Sequence, residues 1–503
     1  MSLRHNLLAS YLGQTYVALV GVLFIPVYLD LMGAEAYGLI GFHTMLQAWF
    51  SLIDAGMSPA VARESARFRA GALAARPFRQ LLRTLEWLFL LTATLAGVLL
   101  ALAAETLAFH WLQAQALAVD QIAGSIRIMA LIAALRVCAA LYRGVIVGSE
   151  RLVWLNGFNA VIATLRFVLV IPVLWLGGVS PATFFAWQGL VAAIELLCLA
   201  TFAYRLLPPQ RGLRAAFASV LPVLRFSAGI AFASLVWIAS TNTDKLLLSS
   251  LLSLAEYGHF MVAVLAASAV LSVAAPLGST VLPRMARLEA ARESTQLQLL
   301  YRRATQLTTV SAGSLAITIA LFGRELLWAW SGDEALARAA APILGPYALG
   351  NWLLALAAFA YYLQYAKGRL RLHLMGSGFS LLLLVPATVY ATAVAGAPGA
   401  AWAWLILNAL LLTGWVPIVH RSLLPGLAMA WLLRDVLAPT LPMLLCAYGL
   451  RWLWPAMDGR GTIFVGCALF AGLVFMAGAL GSSAAREYLK LRWDVRPGPG
   501  PRP

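Results

Sequence analysis

Four charged side chains lie within or at the ends of long apolar stretches: Arg136, Arg143, Arg166 and Glu195. A charge at the centre of a membrane helix costs at least ~2.5–3.5 kcal/mol, so such a residue is by default a candidate functional site. The guanidinium group of arginine binds two phosphate oxygens at once and keeps its charge at any relevant pH. The three arginines therefore predict a water-filled cationic cavity that holds a phosphorylated ligand.

The same residues also allow a structural interpretation. Glu195 is a candidate for an ion pair that neutralises Arg136 or Arg166, or alternatively for a carboxylate that couples transport to an ion. Arg136 and Arg143 are seven residues apart and share one helix face, whereas Arg127 points to the opposite side. Both roles of Glu195 stay open from the sequence.

Three further charges are candidates for binding or gating. Lys245 is predicted to join the cationic cavity, and Asp244 and Asp54 are candidates for ion coupling or gating. Because neighbouring residues on a helix do not face each other, we expect Asp244 and Lys245 not to pair. Asp54 is otherwise interpreted as a salt bridge of a gate or of the topology, close to the Arg63 loop.

Aromatic and amide side chains are candidates for glycan contact, namely Tyr347, Asn351, Tyr361, His43 and Gln47. The first three make one predicted helix unusually polar, and aromatic rings can stack on sugars. Interfacial anchoring explains Tyr361 equally well. His43 and Gln47 lie one turn apart, where a hydrogen bond in helix packing is the alternative to lining a cavity.

The remaining polar residues predict structural roles. Asp30 and Glu35 are expected to be solvated at the outer surface, and Glu86 to pair with an arginine or complement a helix start. The six histidines are scattered and show no HExxH spacing, so we expect neither a metal site nor a cofactor. The four cysteines lie in apolar segments and are predicted to be small buried hydrophobes: Cys138, Cys198, Cys446 and Cys467.

The composition explains which elements must hold these residues. Of the 503 residues, 62% are hydrophobic and only 11% are charged, which excludes an ordinary soluble domain. The formal net charge of +16 would suit nucleic acid, but the basic residues lie in short clusters between apolar stretches. In membrane proteins that bias sets the topology, so we expect membrane lipids as partners and no nucleic acid.

The apolar stretches predict an all-α integral membrane protein with about fourteen transmembrane helices. Most lysines and arginines then fall on one side, which predicts an inner-membrane protein with both termini in the cytoplasm. The predicted segments are 7–31, 35–58, 81–105, 121–147, 156–177, 181–205, 218–243, 254–280, 305–329, 338–365, 372–396, 398–420, 435–455 and 460–480.

A weak internal repeat at an offset of about 220 residues predicts two halves of the same orientation. Residues 34–38 correspond to 254–258, and the basic loops after the second and eighth helices fall at the same offset. We expect two six-helix lobes in parallel repeat with a substrate path between them. The predicted divisions are an N-terminal lobe 1–214, a C-terminal lobe 215–434, two extra helices in 435–480 and a disordered cytoplasmic tail 481–503.

Several short motifs resemble bacterial polysaccharide flippases, the O-antigen and exopolysaccharide members of the MATE-like multidrug/oligosaccharidyl-lipid/polysaccharide superfamily. The resemblance covers most of residues 6–420. It rests on Asn6-x-x-x-Ser10, Ile25-Pro26-x-Tyr28, Gly33-Ala34-Glu35-Ala36-Tyr37-Gly38, Asp54-Ala55-Gly56-Met57, Ala62-Arg63-Glu64, Asn242-Thr243-Asp244-Lys245, Gly396-Ala397-Pro398-Gly399 and Asn408.

This resemblance implies flipping of an undecaprenyl-pyrophosphate-linked oligosaccharide to the periplasmic leaflet, for surface or exopolysaccharide synthesis. Expected partners are the lipid-linked glycan, a coupling ion (proton or sodium) and polysaccharide polymerase or assembly proteins, and we expect a monomer. Alternatives within the superfamily are a cation-coupled multidrug exporter and a lipid II-type flippase. A polytopic polymerase or ligase is the enzymatic alternative, but the outer loops offer only scattered carboxylates and histidine, so we expect no enzyme.

Overall fold

The computed structural model describes residues 3–54, 56–210, 220–455 and 459–487, with the side chains of 3–12, 222, 225 and 226 outside that description. Helices make up nearly all of the described backbone. Ten of them are long and apolar enough to cross a membrane, or up to eleven if the bent pair Gly13–Leu23 and Ile25–Asp54 counts as one span. The prediction of an all-α, multi-pass membrane protein is confirmed.

The chain divides into two compact units, Met1–Gly258 and His259–Pro503. The first unit contains eight helices of more than ten residues among its described residues. They are α1 (Leu3–Leu23), α2 (Ile25–Phe50), α3 (Met57–Arg69), α4 (Ala75–Leu102), α5 (Val119–Gly148), α6 (Leu152–Gly177), α7 (Pro181–Arg205) and α8 (Leu221–Leu251).

The second unit begins inside a long helix, α9 (Leu254–Ala290), whose first turn belongs to the first unit. The helices that follow are α10 (Ser294–Ser331), α11 (Glu334–Ala366), α12 (Arg371–Leu423), α13 (Leu427–Leu453) and α14 (Arg460–Gly481). The predicted tail continues to 503, and its residues after 487 lie outside the described part of the chain.

Helical backbone covers nearly all of each of the fourteen predicted apolar segments, but some boundaries differ. The first two segments were predicted to meet at 32–34. The structure instead ends α1 at Leu23 and starts α2 at Ile25, because Pro26 favours the first turn of a helix. At the predicted junction, α2 contains a break at Gly33, where φ is +82°. In α12 the eleventh and twelfth segments join across a similar break at Gly396, where φ is +62°.

Close packing of α3 against α5 positions part of the candidate site. Helix α3 lies against α5 at Gly144 and Gly148, four residues apart on one face. A Cβ atom on Gly148 would stand 2.1 Å from the carbonyl oxygen of Ala62, and one on Gly144 would stand 2.6 Å from that of Ser58. Only glycine permits this backbone approach, which sets α3 beside the polar face of α5.

The boundary between the units differs from the predicted boundary between the repeats. Helix α8 packs against α2 and α3, so it groups with the first unit, which ends at Gly258. The lobes 1–214 and 215–434 remain a prediction about the repeat, since the units are defined by packing alone.

In the second unit, α13 and α14 pack on α10 and are held there by a buried polar network. Arg302 donates two hydrogen bonds to the Asp435 carboxylate, at 2.7 and 3.0 Å. Gln306 donates to the same carboxylate at 2.6 Å and accepts from the Ser482 hydroxyl at 2.7 Å. The two helices predicted to lie outside the repeat are thus tied to α10.

Candidate functional site

Two cavities lie in the first unit and share one arginine. The larger has a volume of about 600 Å³ between α2, α3 and α5, and Arg136 and Arg143 are among its lining residues. The smaller has a volume of about 340 Å³ between α1, α5 and α6, and Arg143 and Arg166 line it. The three predicted arginines are therefore brought together, with Arg143 standing between the cavities.

Local helix geometry explains how the arginines converge. Arg136 and Arg143 lie two turns apart on one face of α5. Arg166 lies in a wide π turn, Thr164–Val168, inside α6. Such turns leave backbone carbonyl groups without their usual helical donors. Here Trp187 donates to the carbonyl oxygen of Leu165 at 2.7 Å and Gln188 to that of Arg166 at 2.8 Å, so α7 holds the turn in place.

Glu195 pairs with Arg143 and not with Arg136 or Arg166. This corrects the predicted partner, and the reason is the position of α7, which brings Glu195 against the part of α5 that carries Arg143. Nη2 of Arg143 donates to Oε1 of Glu195, and Nη1 donates to Oδ1 of Asn159 at 2.7 Å. Only 5% of the Glu195 side chain is exposed.

The other two arginines have guanidinium atoms that are shielded yet unpartnered among the described residues. These atoms are Nε and Nη2 of Arg136 and Nε of Arg166. Oε2 of Glu195 is in the same condition. The three arginines carry three positive charges, and Glu195 and Asp54, which lines the larger cavity, carry two negative charges. Positive charge is therefore in excess. Buried guanidinium groups require acceptors, so the arrangement suits an anionic ligand.

His43 and Gln47 hydrogen-bond to each other within α2. The edge of the His43 ring contacts Phe185 of α7, and His43 is buried, which agrees with the packing alternative. Gln47 lines the larger cavity, so the polar stripe combines the two roles that the sequence left open.

Asp54 also lines the larger cavity. Its Oδ1 accepts hydrogen bonds from the backbone amide of Ser58 at 2.9 Å and from the Ser58 hydroxyl at 2.7 Å. These bonds satisfy groups in the first turn of α3, which would otherwise need other acceptors. Asp54 is thus held at the wall of the cavity by the helix that follows it.

The prediction that Asp244 and Lys245 do not pair is wrong. Nζ of Lys245 lies 3.2 Å from Oδ1 of Asp244 and also donates to the carbonyl oxygen of Thr241. The long lysine chain curls back along the helix, which the divergence of neighbouring Cβ atoms does not prevent. Asp244 is buried, and neither residue lines the two cavities.

The candidate glycan contacts of the second unit make packing contacts in this structure. Asn351 is buried and donates to the carbonyl oxygen of Ala267 at 3.1 Å, while its Oδ1 accepts from Trp404 at 3.2 Å. Tyr347 stacks on the same tryptophan with ring centroids 5.4 Å apart. Tyr361 is half-buried in a cluster of aromatic rings formed by Tyr362, Tyr365 and His373.

Sequence reasoning missed two polar contacts. Asn159 was not predicted, although Asn156 and Asn159 are three residues apart in an apolar segment and so share a face. Glu35 was expected to be solvated. Its carboxylate instead accepts from the backbone amides of residues 115, 116 and 117 at 2.7–3.0 Å. The donors are backbone amides, which every residue except proline has, so the residue types of the loop do not predict this contact.

Comparison with solved structures identifies the fold. The lipid II flippase MurJ, in an inward closed conformation, aligns with a TM-score of 0.73 at 12% identity, over 98% of this chain and 99% of that one. An inward-facing multidrug resistance MATE family transporter of the MOP superfamily aligns with a TM-score of 0.66 at 13% identity, over 81% and 94%. At these identities the likeness shows a shared fold. No curated protein sequence matched the chain.

A family model described as "Polysaccharide biosynthesis protein" matches residues 3–289, which include α1 to α8, nearly all of α9 and both cavities. This match agrees with the resemblance drawn from the short motifs. The chain belongs to the polysaccharide biosynthesis protein family and has the fold of MOP superfamily transporters.

Proposed function

We propose that this protein flips an undecaprenyl-pyrophosphate-linked oligosaccharide across the bacterial inner membrane. The observation that carries the proposal is the arginine cluster around the two cavities, where guanidinium atoms of Arg136 and Arg166 have no acceptor among the described residues. Phosphate oxygens fit that need, because arginine binds them with two parallel hydrogen bonds.

The surroundings of the cluster suit a lipid-linked substrate. Large apolar side chains such as Trp175 and Leu176 are exposed, as expected of helices that face lipid. A polyprenyl tail can then stay in the bilayer while only the charged headgroup enters the protein. The headgroup would otherwise meet hydrocarbon, where an unpaired charge is costly.

Alternating access is the mechanism we propose for the crossing. The two lobes, 1–214 and 215–434, would be related by a pseudo-two-fold axis along the membrane normal and would rock against each other, with 435–480 as peripheral helices. Both termini would then be cytoplasmic, as the basic loops predict. Glu195, Asp244 and Asp54 are the carboxylates that a coupling proton or sodium ion would use, and Lys245 remains a candidate for contact with the substrate.

Gene deletion with plasmid rescue tests the proposal in the native host. We expect deletion to remove the surface polysaccharide and to accumulate its lipid-linked intermediate, with rescue by the wild type but not by Arg136→Ala or Arg166→Ala. Arg127→Ala is the matched control, because Arg127 is exposed and paired with Glu105 away from both cavities. Its rescue should equal that of the wild type.

Other outcomes identify the alternatives. Normal polysaccharide with new sensitivity to cationic drugs would assign the chain to the multidrug exporters. Normal polysaccharide with accumulated peptidoglycan precursor would assign it to lipid II-type flippases, the function named for the similar MurJ structure. Full rescue by both arginine variants at wild-type protein levels would remove the role of the cationic cavity.

A further inference from the structure

Arg143 differs from the other two arginines of the cluster because its terminal nitrogens are already occupied. Nη1 donates to Asn159 of α6 and Nη2 to Glu195 of α7. It is also the residue that lines both cavities. The arginine at the centre of the site is therefore held by the protein, while its two neighbours carry guanidinium atoms that have no acceptor among the described residues.

Glu195 is placed to compete with a ligand for Arg143. Its carboxylate presents to Nη2 the same kind of acceptor that a phosphate group would present. Arg143 is 32% exposed, so an anion in either cavity can reach it, whereas Glu195 is 5% exposed behind it. Oε2 of Glu195 has no partner among the described residues, so the carboxylate is bound through one oxygen only.

We propose that Glu195 is a placeholder anion: it occupies on Arg143 the position that an acidic group of the substrate takes during transport. This inference rests on the proposed function, because it assumes that the cluster binds an anionic headgroup. In the empty protein the ion pair neutralises Arg143. When the headgroup enters, its phosphate displaces Glu195, and when Glu195 returns it helps to expel the phosphate.

Asn159 is the positioning residue in this arrangement. Its amide oxygen holds Nη1 at 2.7 Å, independently of Glu195. The guanidinium plane therefore stays oriented when the carboxylate leaves. When the ligand dissociates, Arg143 is still in the geometry that binds Glu195. A carrier has to release what it binds, so a built-in competitor favours turnover at the expense of affinity.

Binding of inorganic pyrophosphate to the purified full-length protein in lipid nanodiscs tests the proposal. Glu195→Gln removes the competing charge and keeps the size of the side chain, so pyrophosphate should bind at least about tenfold more tightly than to the wild type. The dissociation rate should fall in proportion, while transport of a lipid-linked substrate slows. Glu195→Asp, which keeps the charge on a shorter chain, should give an intermediate affinity and covers the case in which Glu195→Gln does not fold.

Glu105→Gln is the matched control. Glu105 pairs with Arg127 in the same unit, is exposed, and lines neither cavity. Its substitution should leave pyrophosphate affinity unchanged. Asn159→Leu should weaken binding to the Glu195→Gln protein as well as to the wild type, since it acts on the orientation of Arg143 and not on the competition.

The outcomes separate this inference from the proposed function. Pyrophosphate binding that needs Arg136 but is unchanged or weakened by both Glu195 variants would overturn the placeholder role and leave the cationic cavity intact. Equal binding by the wild type and Arg136→Ala would instead count against the cavity itself. Binding detected with Glu195→Gln but not with the wild type would support the placeholder.

Discussion

Gly38 and Gly258 stand face to face in a reciprocal contact between α2 and the first turn of α9. A Cβ atom on Gly38 would lie 2.3 Å from the carbonyl oxygen of Leu254, and one on Gly258 would lie 2.4 Å from that of Ala34. Gly258 and Leu254 are related to Gly38 and Ala34 by the repeat offset of about 220 residues. Each glycine therefore contacts the residue four positions before the other.

Substitution of either glycine should separate the two helices. Because the nearest atoms are backbone oxygens that cannot rotate away, Gly38→Ala and Gly258→Ala should each destabilise the protein by about 1–3 kcal/mol. Thermal unfolding in detergent measures the loss. Gly124→Ala is the control, since nothing lies within 4 Å of its Cβ position in α5. Equal melting temperatures for all three variants would contradict the close contact.

Glu35→Gln tests the attachment of the loop between α4 and α5. The substitution leaves one acceptor oxygen and no charge where the carboxylate now receives three backbone amides, so we expect a loss of about 1–2 kcal/mol. Hydrogen exchange at residues 115–117 should accelerate in parallel. Asp30→Asn provides the comparison, because Asp30 is exposed and its charge faces solvent. Unchanged exchange in the Glu35 variant would show that the loop is held by other contacts.

Asp435→Asn tests how α13 and α14 are tied to α10. Asp435 is fully buried and receives Arg302 and Gln306, so loss of its charge should cost about 3 kcal/mol. Glu487→Gln removes an exposed pair with Arg303 and should cost less than about 1 kcal/mol. Chemical or thermal unfolding of the two variants gives the difference, and similar losses would argue against a structural role for the buried network.

Arg136→Lys separates charge from hydrogen-bond geometry in the cavity. Lysine keeps the positive charge but lacks the planar fork, so transport should fall about tenfold, equivalent to about 1.4 kcal/mol. Arg136→Ala should fall further. The initial rate of flipping of a fluorescent polyprenyl-diphosphate glycan in proteoliposomes is the measurement. A lysine variant as inactive as the alanine variant would mean that transport requires the planar guanidinium group and that positive charge alone does not support it.

Asn351→Leu distinguishes packing from glycan contact in the second unit. The substitution removes the hydrogen-bond partner of the Trp404 indole nitrogen and of the carbonyl oxygen of Ala267. The free energy of unfolding should therefore drop by about 1–3 kcal/mol. Flipping per folded molecule should stay near the wild-type rate. Tyr361→Phe, at a half-buried ring, should change neither quantity. Normal stability with lost transport would restore Asn351 as a glycan contact.

Hydropathy and charge were sufficient to predict the class of protein, the apolar segments and the arginines of the cluster. The cost of burying charge in lipid is a local property of each residue, so Arg136 and Arg166 stand out without any knowledge of their neighbours. Helix boundaries were less accurate where Pro26 and Gly33 divide the chain differently from its hydropathy.

Partners were decided by the tertiary structure alone. Glu195 pairs with Arg143 because α7 packs beside that part of α5, and Asn159 completes the contact from α6. Glu35 meets backbone amides from a distant loop. Periodicity places residues on a helix face, but it contains no information about which other helix covers that face. The sequence thus determined where charge enters the membrane region, and only the packing of the helices decided which charge is paired and which guanidinium atoms have no acceptor among the described residues.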